Sequence, residues 1–209
     1  MAHRLTSDND ALSEVGLSGR TLAQRLILAA AVDSMSSLGY HGSTTRGIAK
    51  AAGQSPSALY VYYRTKEELL FEICLVAHQS VLSWTQQADS QSMDAMERLA
   101  SVTRSLTEWH ATNHAIARVA QFELPALTLE HFRIIARVRR RIENHVRDIV
   151  RDGASTGQFD VDDVTATSAA ILSLTIDVAR SFHLHEHKSA EAILDLYEAF
   201  ALRMVGVLK

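Results

Sequence analysis

Apolar residues recur at intervals of three or four along most of the chain, and this spacing predicts amphipathic helices. The first series begins at Leu22 and runs to Gly39, a residue type that favours helix C-termini. No stretch alternates apolar and polar residues as a strand would, and no segment repeats another. We therefore predict an all-α fold of about nine helices.

Residues that begin and end helices divide this pattern into elements. Thr44 can cap a short helix that Gly53 ends, and Ser55 can cap a second one with Pro56 at its first position. The tetrapeptide Thr65-Lys66-Glu67-Glu68 is a capping box, which predicts the start of a fourth helix. Five further helices are predicted to begin near residues 92, 114, 128, 160 and 189.

The composition is that of a chain able to bury a core, since 47% of its 209 residues are hydrophobic and 22% are charged. No apolar run approaches the roughly 18 residues that a membrane span needs, so no membrane partner is expected. Cys74 is the only cysteine, which excludes a disulfide framework and favours a reducing cytoplasm. Residues 1–19 lack periodicity and are expected to form a flexible N-terminal arm.

The net charge of −3 hides an uneven distribution. Residues 20–66 contain six basic side chains and one acidic side chain, which gives this segment a net charge of +5 and the remainder −8. A basic segment on an acidic chain is expected when one domain contacts phosphates and the other does not. Chance clustering is the alternative explanation.

The segment between residues 44 and 63 carries the strongest functional pattern. Two short helices that meet at Gly53-Gln54-Ser55 have the layout of a helix-turn-helix, whose second helix enters the major groove of DNA. Small side chains at Ser57 and Ala58 would let that helix approach the bases closely. Side chains that could reach phosphates or bases surround it: Arg46, Tyr60, Tyr62, Tyr63 and Lys66.

Residues 22–72 resemble the TetR-type repressors. The shared motifs include Gly39-Tyr40, Ser43-Thr44-Thr45-Arg46-Gly47-Ile48-Ala49, Ala52-Gly53, Leu59-Tyr60, Tyr62-Tyr63 and Lys66-Glu67-Glu68-Leu69-Leu70. Gln54 departs from the pattern, which often has valine there. The remaining helices match the family in number and order rather than in a readable motif.

The resemblance implies a set of DNA-binding residues, a domain division and an assembly. The implied contacts to double-stranded DNA are Thr45, Arg46, Ser55, Ser57, Ala58, Tyr60, Tyr62 and Lys66. The implied domains are residues 20–81 for DNA binding and residues 82–209 for effector binding and dimerisation. A homodimer on a palindromic operator is expected, paired through the last two helices. An apolar stripe is predicted to form that interface: Leu174, Val178, Ile193, Leu196, Phe200 and Val207.

The C-terminal part resembles, more weakly, a subgroup that senses acyl-CoA thioesters. The resemblance lies in Phe122-Glu123-Leu124, Glu130-His131-Phe132 and the arginine run of residues 137–141. The arginines are either the solvated face of a helix or ligands for the phosphates of CoA. A hydrophobic effector is expected, and the predicted lining of its pocket is Trp84, Trp109, His110, His114, Phe122 and Phe132.

Other classes of function remain as alternatives. An enzyme is not expected, because the chain has no glycine-rich phosphate loop, nucleophile elbow or two-cysteine metal motif. Neither a cofactor nor a metal is expected, since His110 and His114 lack a third ligand and residues 183–187 fall at a helix end. A helical ligand-binding or interaction protein that has lost DNA binding, or a ligand-dependent activator, is the remaining alternative to a repressor.

Overall fold

The computed structural model describes residues 19–181 and 189–207. Within these ranges the chain forms nine α-helices and no strand, which confirms the predicted fold class. The helices are α1 (Leu22–Gly42), α2 (Thr45–Ala51), α3 (Pro56–Tyr62), α4 (Lys66–Ala88), α5 (Ala95–Thr112), α6 (His114–Phe122), α7 (Leu129–Ser155), α8 (Val164–Ser181) and α9 (Ala190–Met204). A short 3-10 turn, Leu124–Ala126, separates α6 from α7.

The chain divides into two compact units that are not consecutive segments. The first unit contains the described residues up to 80 together with residues 115–137, and the second contains residues 81–114 and the described residues from 138 onward. Helices α4 and α7 each contribute residues to both units. The predicted domain boundaries therefore stay a prediction. The predicted N-terminal arm lies, except for Gly19, outside the described residues.

Side-chain caps begin most of the helices at the predicted places. The hydroxyl groups of Thr44, Ser55 and Ser189 accept hydrogen bonds from backbone N–H groups three residues further on, so each is an N-cap as predicted. Thr21 and Gln24 form a reciprocal capping box at the start of α1, which the sequence analysis did not identify.

Two predicted starts differ because a better cap lies nearby, and a third start is correct although its capping box is incomplete. Helix α5 begins at Ala95 rather than near residue 92, since Asp94 and Glu97 form a capping box. Helix α8 begins at Val164, because Asp163 Oδ1 accepts from the N–H groups of residues 165 and 166. Only half of the predicted capping box at α4 forms: Thr65 caps Glu68, but the Glu68 carboxylate accepts from Arg64 N–H instead.

The first unit is built on a small apolar core beneath the two short helices. Helices α1, α2 and α3 pack on one another, and Ile27, Ile48 and Leu59 are fully buried among them. Burying one such side chain completely contributes about 1.5–3 kcal/mol relative to leaving it exposed. The short helices, which would be marginal alone, are therefore held by this core.

The second unit is organised around α5, which packs against both α8 and α9. Val178, Ile193 and Tyr197 form a buried cluster within the single chain. The predicted dimer stripe therefore needs correction, because Val178 and Ile193 are covered by the protomer's own helices. Among the described residues, no helix is long and apolar enough to cross a membrane.

Candidate nucleic-acid interface

The turn between α2 and α3 is a tight, fully hydrogen-bonded structure. Gly53 N–H donates to the Lys50 carbonyl and Gln54 N–H donates to the Ala49 carbonyl, at 3.1 and 2.8 Å. This pair of bonds defines a Schellman motif, which requires a left-handed residue after the helix. Gly53 supplies it with φ of 66°. The turn thereby fixes the direction in which α3 leaves α2.

The bend between α1 and α2 is held from two sides. Gly39, at φ 72°, interrupts the helical conformation where the sequence predicted the end of the helix. The Ser43 hydroxyl donates to the Gly39 carbonyl at 2.8 Å. Lys66 Nζ, at the start of α4, donates to the carbonyls of Tyr40 and Ser43 at 2.7 and 2.8 Å and lies 4.2 Å from the Tyr40 ring centroid. These contacts hold the bend between α1 and α2.

Polar side chains of α2 and α3 meet on the exposed side of the motif. The hydroxyls of Thr45 and Tyr60 are 3.0 Å apart and join the two helices. The Ser55 hydroxyl lies 2.8 Å from that of Ser57. Arg46 and both serines are exposed, and the exposed fractions of Tyr60 and Tyr62 are 48% and 36%. Most of the predicted DNA-contact residues are thus open to a ligand, with Thr45, Ala58 and Lys66 half-buried.

Tyr63 differs from the two tyrosines that precede it. It is buried, and its hydroxyl has no hydrogen-bond partner among the residues that the structure describes. Burial raises the pKa of the Tyr63 hydroxyl, and the positive charge of Arg20 opposes this shift. Tyr63 therefore belongs to the core of the first unit, and the exposed Tyr60 and Tyr62 are left to contact a partner.

Two of the four predicted effector residues of the second unit are buried, and the other two are half-buried. Trp109 and His110 are buried and form an edge-on ring contact, whereas Trp84 and His114 are half-buried. His110 Nδ1 donates to the Leu106 carbonyl at 2.7 Å, and burial lowers the pKa of His110 to about 4. The imidazole is therefore neutral near pH 7, and it suits apolar surroundings.

The two predicted phenylalanines lie in the first unit and are exposed, Phe122 by 54% and Phe132 by 42%. Phe122 lines a cavity of about 210 Å³ together with residues of α1 and α6, including Met35 and Val119. The structure therefore does not group all six predicted lining residues in one unit. Their role in effector binding stays a prediction. His183, His185 and His187, at which no metal site was expected, lie outside the described residues.

Both parts of the chain match known protein families. Residues 27–73 match the family described as bacterial regulatory proteins, tetR family. Residues 92–205 match the tetracyclin repressor-like C-terminal domain.

This chain belongs to the TetR family of transcriptional regulators.

Similar proteins include regulators from several bacteria. A tetR-family regulatory protein from Rhodococcus RHA1 is 42% identical, with a TM-score of 0.86 over 90% of this chain and 98% of that chain. A fatty acid metabolism regulator protein from Bacillus subtilis is 28% identical over 64% of this chain and 69% of its own. The fold also matches FadR from Bacillus subtilis in complex with stearoyl-CoA, with a TM-score of 0.69, 24% identity, and coverage of 88% and 98%.

Family membership decides between the classes of function. TetR-family proteins are DNA-binding transcriptional regulators that dimerise, and they are not enzymes. The chain is therefore a DNA-binding regulator with a helix-turn-helix. The alternative of an enzyme is removed by the family match rather than by any missing motif.

The sequence did not predict two groups of polar residues that form hydrogen bonds and ion pairs between distant parts of the chain. Glu67, placed only in a capping box, accepts hydrogen bonds from Thr128 N–H and His131 Nδ1, both at 2.8 Å. Arg98 is buried and pairs with Asp89 and Asp152. A local signal existed for Arg98, because a charged residue on the apolar stripe of a helix predicts a buried ion pair. No local signal existed for Glu67.

Proposed function

We propose that this TetR-family protein is a homodimeric repressor that acts in the cytoplasm and leaves a palindromic operator when a hydrophobic effector binds. The observation that carries the proposal is the hydrogen-bonded frame of α2 and α3, which leaves polar side chains exposed on a rigid motif. A rigid frame matters because base contacts specify a sequence only when side chains are held at fixed positions.

Each predicted contact has a chemical role in this proposal. The small residues Ser55, Ser57 and Ala58 let the start of α3 approach the bases. Arg46 contacts a guanine or a phosphate, and the hydroxyls of Tyr60 and Tyr62 contact phosphates. The Lys66 ammonium group has three N–H donors, and two of them donate to the carbonyls of Tyr40 and Ser43. In this proposal the third N–H donates to a phosphate.

The proposed dimer uses the outward faces of α8 and α9, corrected for the residues buried in the protomer. On α8 this face carries small exposed residues at Ala166, Ala169, Ala170 and Ser173. Small side chains permit the close helix approach that a two-fold interface needs.

Mass photometry at micromolar concentration tests the dimer. We expect a dimer for the wild type and a monomer for Ala170→Arg, with Glu143→Arg on the exposed face of α7 as a control that stays dimeric. A monomeric wild type would contradict the proposed assembly.

The proposed effector is a hydrophobic carboxylate or its CoA thioester. The support is the likeness to a fatty acid metabolism regulator and to FadR with stearoyl-CoA, together with the buried Trp109 and neutral His110. Helix α7 shows the predicted two faces, with Ile135, Ile142 and Val146 buried and several arginines exposed. In this proposal those arginines bind the phosphates of CoA.

The effector is tested by gel-shift titration with matched pairs of free acids and CoA thioesters. Release by thioesters alone, reduced in Arg140→Ala, supports the role of the arginines. Release by free acids alone removes that role, and release by neither contradicts the effector class. Tighter DNA binding with an effector would show a co-repressor or an activator instead.

A further inference from the structure

The first turn of α4 touches two other segments of the first unit through adjacent residues. Lys66 binds the carbonyl of Tyr40, in the last turn of α1, and that of Ser43, between α1 and α2. The next residue, Glu67, binds Thr128 and His131, which begin α7. One turn of helix therefore connects the start of α7 to the start of the helix-turn-helix.

The contact between Glu67 and α7 is specific in its geometry. His131 Nδ1 lies 2.8 and 2.9 Å from the two carboxylate oxygens, and Thr128 N–H donates to one of them at 2.8 Å. The His131 ring stacks on Phe71, one turn along α4, with centroids 3.9 Å apart and planes at 8°. The carboxylate also lies at the N-terminus of α7, where the helix dipole favours a negative charge.

We propose that Glu67 and His131 are positioning residues for DNA binding: they fix the first turn of α4 against α7, and Lys66 passes this constraint to α2. The proposal rests on the proposed reading surface but not on the proposed effector. A displacement of the first turn of α7 would therefore reach the recognition motif through two adjacent side chains of α4, first Glu67 and then Lys66.

Hydrogen–deuterium exchange of the full chain tests the proposal without DNA or effector. The variant His131→Phe keeps an aromatic ring to stack on Phe71 and removes the hydrogen bond to Glu67. We expect exchange in residues 40–51 to rise by about tenfold, as for loss of one charge-assisted hydrogen bond. The control is Glu130→Gln on the exposed side of the same turn, and it should leave exchange unchanged.

A purely local role predicts a different result. Faster exchange confined to residues 64–72 and 128–135, with residues 40–51 unchanged, would overturn the proposal. If His131→Phe does not fold, Glu67→Gln replaces it, because the amide keeps one acceptor oxygen for Thr128 N–H. We then expect a smaller rise of about threefold in residues 40–51, and no rise there would overturn the proposal.

A second readout separates positioning from phosphate contact. His131→Phe should weaken duplex binding by about fivefold, a modest coupling between distant sites. Its slope of log affinity against log salt should equal that of the wild type, since no phosphate contact is lost. A reduced slope, or unchanged affinity, would contradict the proposal. Failure of the reading surface itself shows separately, as unchanged DNA binding by Arg46→Ala.

Discussion

The two units of this regulator use polar side chains in opposite ways. In the first unit, the hydroxyls of Thr44, Ser55 and Ser57 bond to backbone or to each other within three residues, and all three residues are exposed. In the second unit, polar groups are buried on the inner face of α5, where Arg98 pairs with Asp89 and the Thr103 hydroxyl has no partner among the described residues. The first arrangement leaves hydroxyl groups accessible at the surface, whereas the second buries polar groups among the helices of the second unit.

Because the Arg98–Asp89 ion pair is buried, its loss should lower the free energy of unfolding more than the loss of an exposed ion pair. The Arg98 side chain is 10% exposed and that of Asp89 is 4% exposed, and the Arg98 guanidinium holds the pKa of the Asp89 carboxyl below its usual range. Arg98→Ala should therefore destabilise the protein by about 3–5 kcal/mol, because it removes the guanidinium from a buried carboxylate and leaves it only the His145 imidazole, 2.9 Å away. Urea unfolding measures this.

The matched control is Arg151→Ala, since the Arg151–Asp148 pair is 56% exposed on both sides. An exposed pair should contribute under about 1 kcal/mol. Equal losses for the two variants would contradict the distinction between buried and exposed charge.

Acid should destabilise the second unit through His110. Burial lowers the pKa of this imidazole from 6.5 to about 4, so only the unfolded chain binds the proton between these values. Stability contributed by the neutral form is therefore lost as pH falls through this window. In His110→Gln, the stability lost between pH 7 and pH 4.5 should be smaller by about 2–3 kcal/mol. Identical pH profiles in urea unfolding would show that His110 is not buried as described.

Lys66→Ala should weaken binding to all duplexes by about tenfold and lower the salt slope by about one unit, because one phosphate contact is lost. Fluorescence anisotropy at several salt concentrations measures both quantities. Weaker binding with an unchanged slope would assign Lys66 only its observed role of holding the carbonyls of Tyr40 and Ser43.

The smallest predicted effect concerns the turn of the helix-turn-helix. Gly53→Ala should cost about 1 kcal/mol, because a side chain in the left-handed region is strained even though open space surrounds this position. Gly53→Asn is the control and should cost less, since asparagine tolerates this conformation. Thermal unfolding measures both variants, and an equal cost would mean that backbone strain is not the cause.

The parts of this regulator that the sequence predicts are those whose partners are close in the chain. Thr44 caps Gly47 and Ser55 caps Ala58, so their types and spacing are enough to identify the helix-turn-helix. Glu67 and His131 are 64 residues apart, and Arg98 and Asp152 are 54 residues apart. Such pairs depend on the packing of whole helices, which periodicity alone does not give.

The predicted dimer stripe was wrong at Val178 and Ile193 because their neighbours are also distant in the chain. Helical spacing showed that Val178 and Ile193 lie on apolar faces, but it did not show which neighbour covers each face. In the structure Ala111, on α5, packs against this cluster. A helix with apolar residues on more than one side can be assigned to core or interface only once its neighbours are known.

In the proposed function, two copies of the α2–α3 surface read a palindromic operator. Selection of bound duplexes from a random library with the full wild-type chain tests it most directly. We expect an inverted repeat with half-site centres about 10 base pairs, or roughly 34 Å, apart. Loss of preference at one position of each half-site in Arg46→Ala would assign this side chain to a guanine, and unchanged preferences would assign it to a phosphate. Selection of a single unrepeated site would contradict the proposed assembly on DNA.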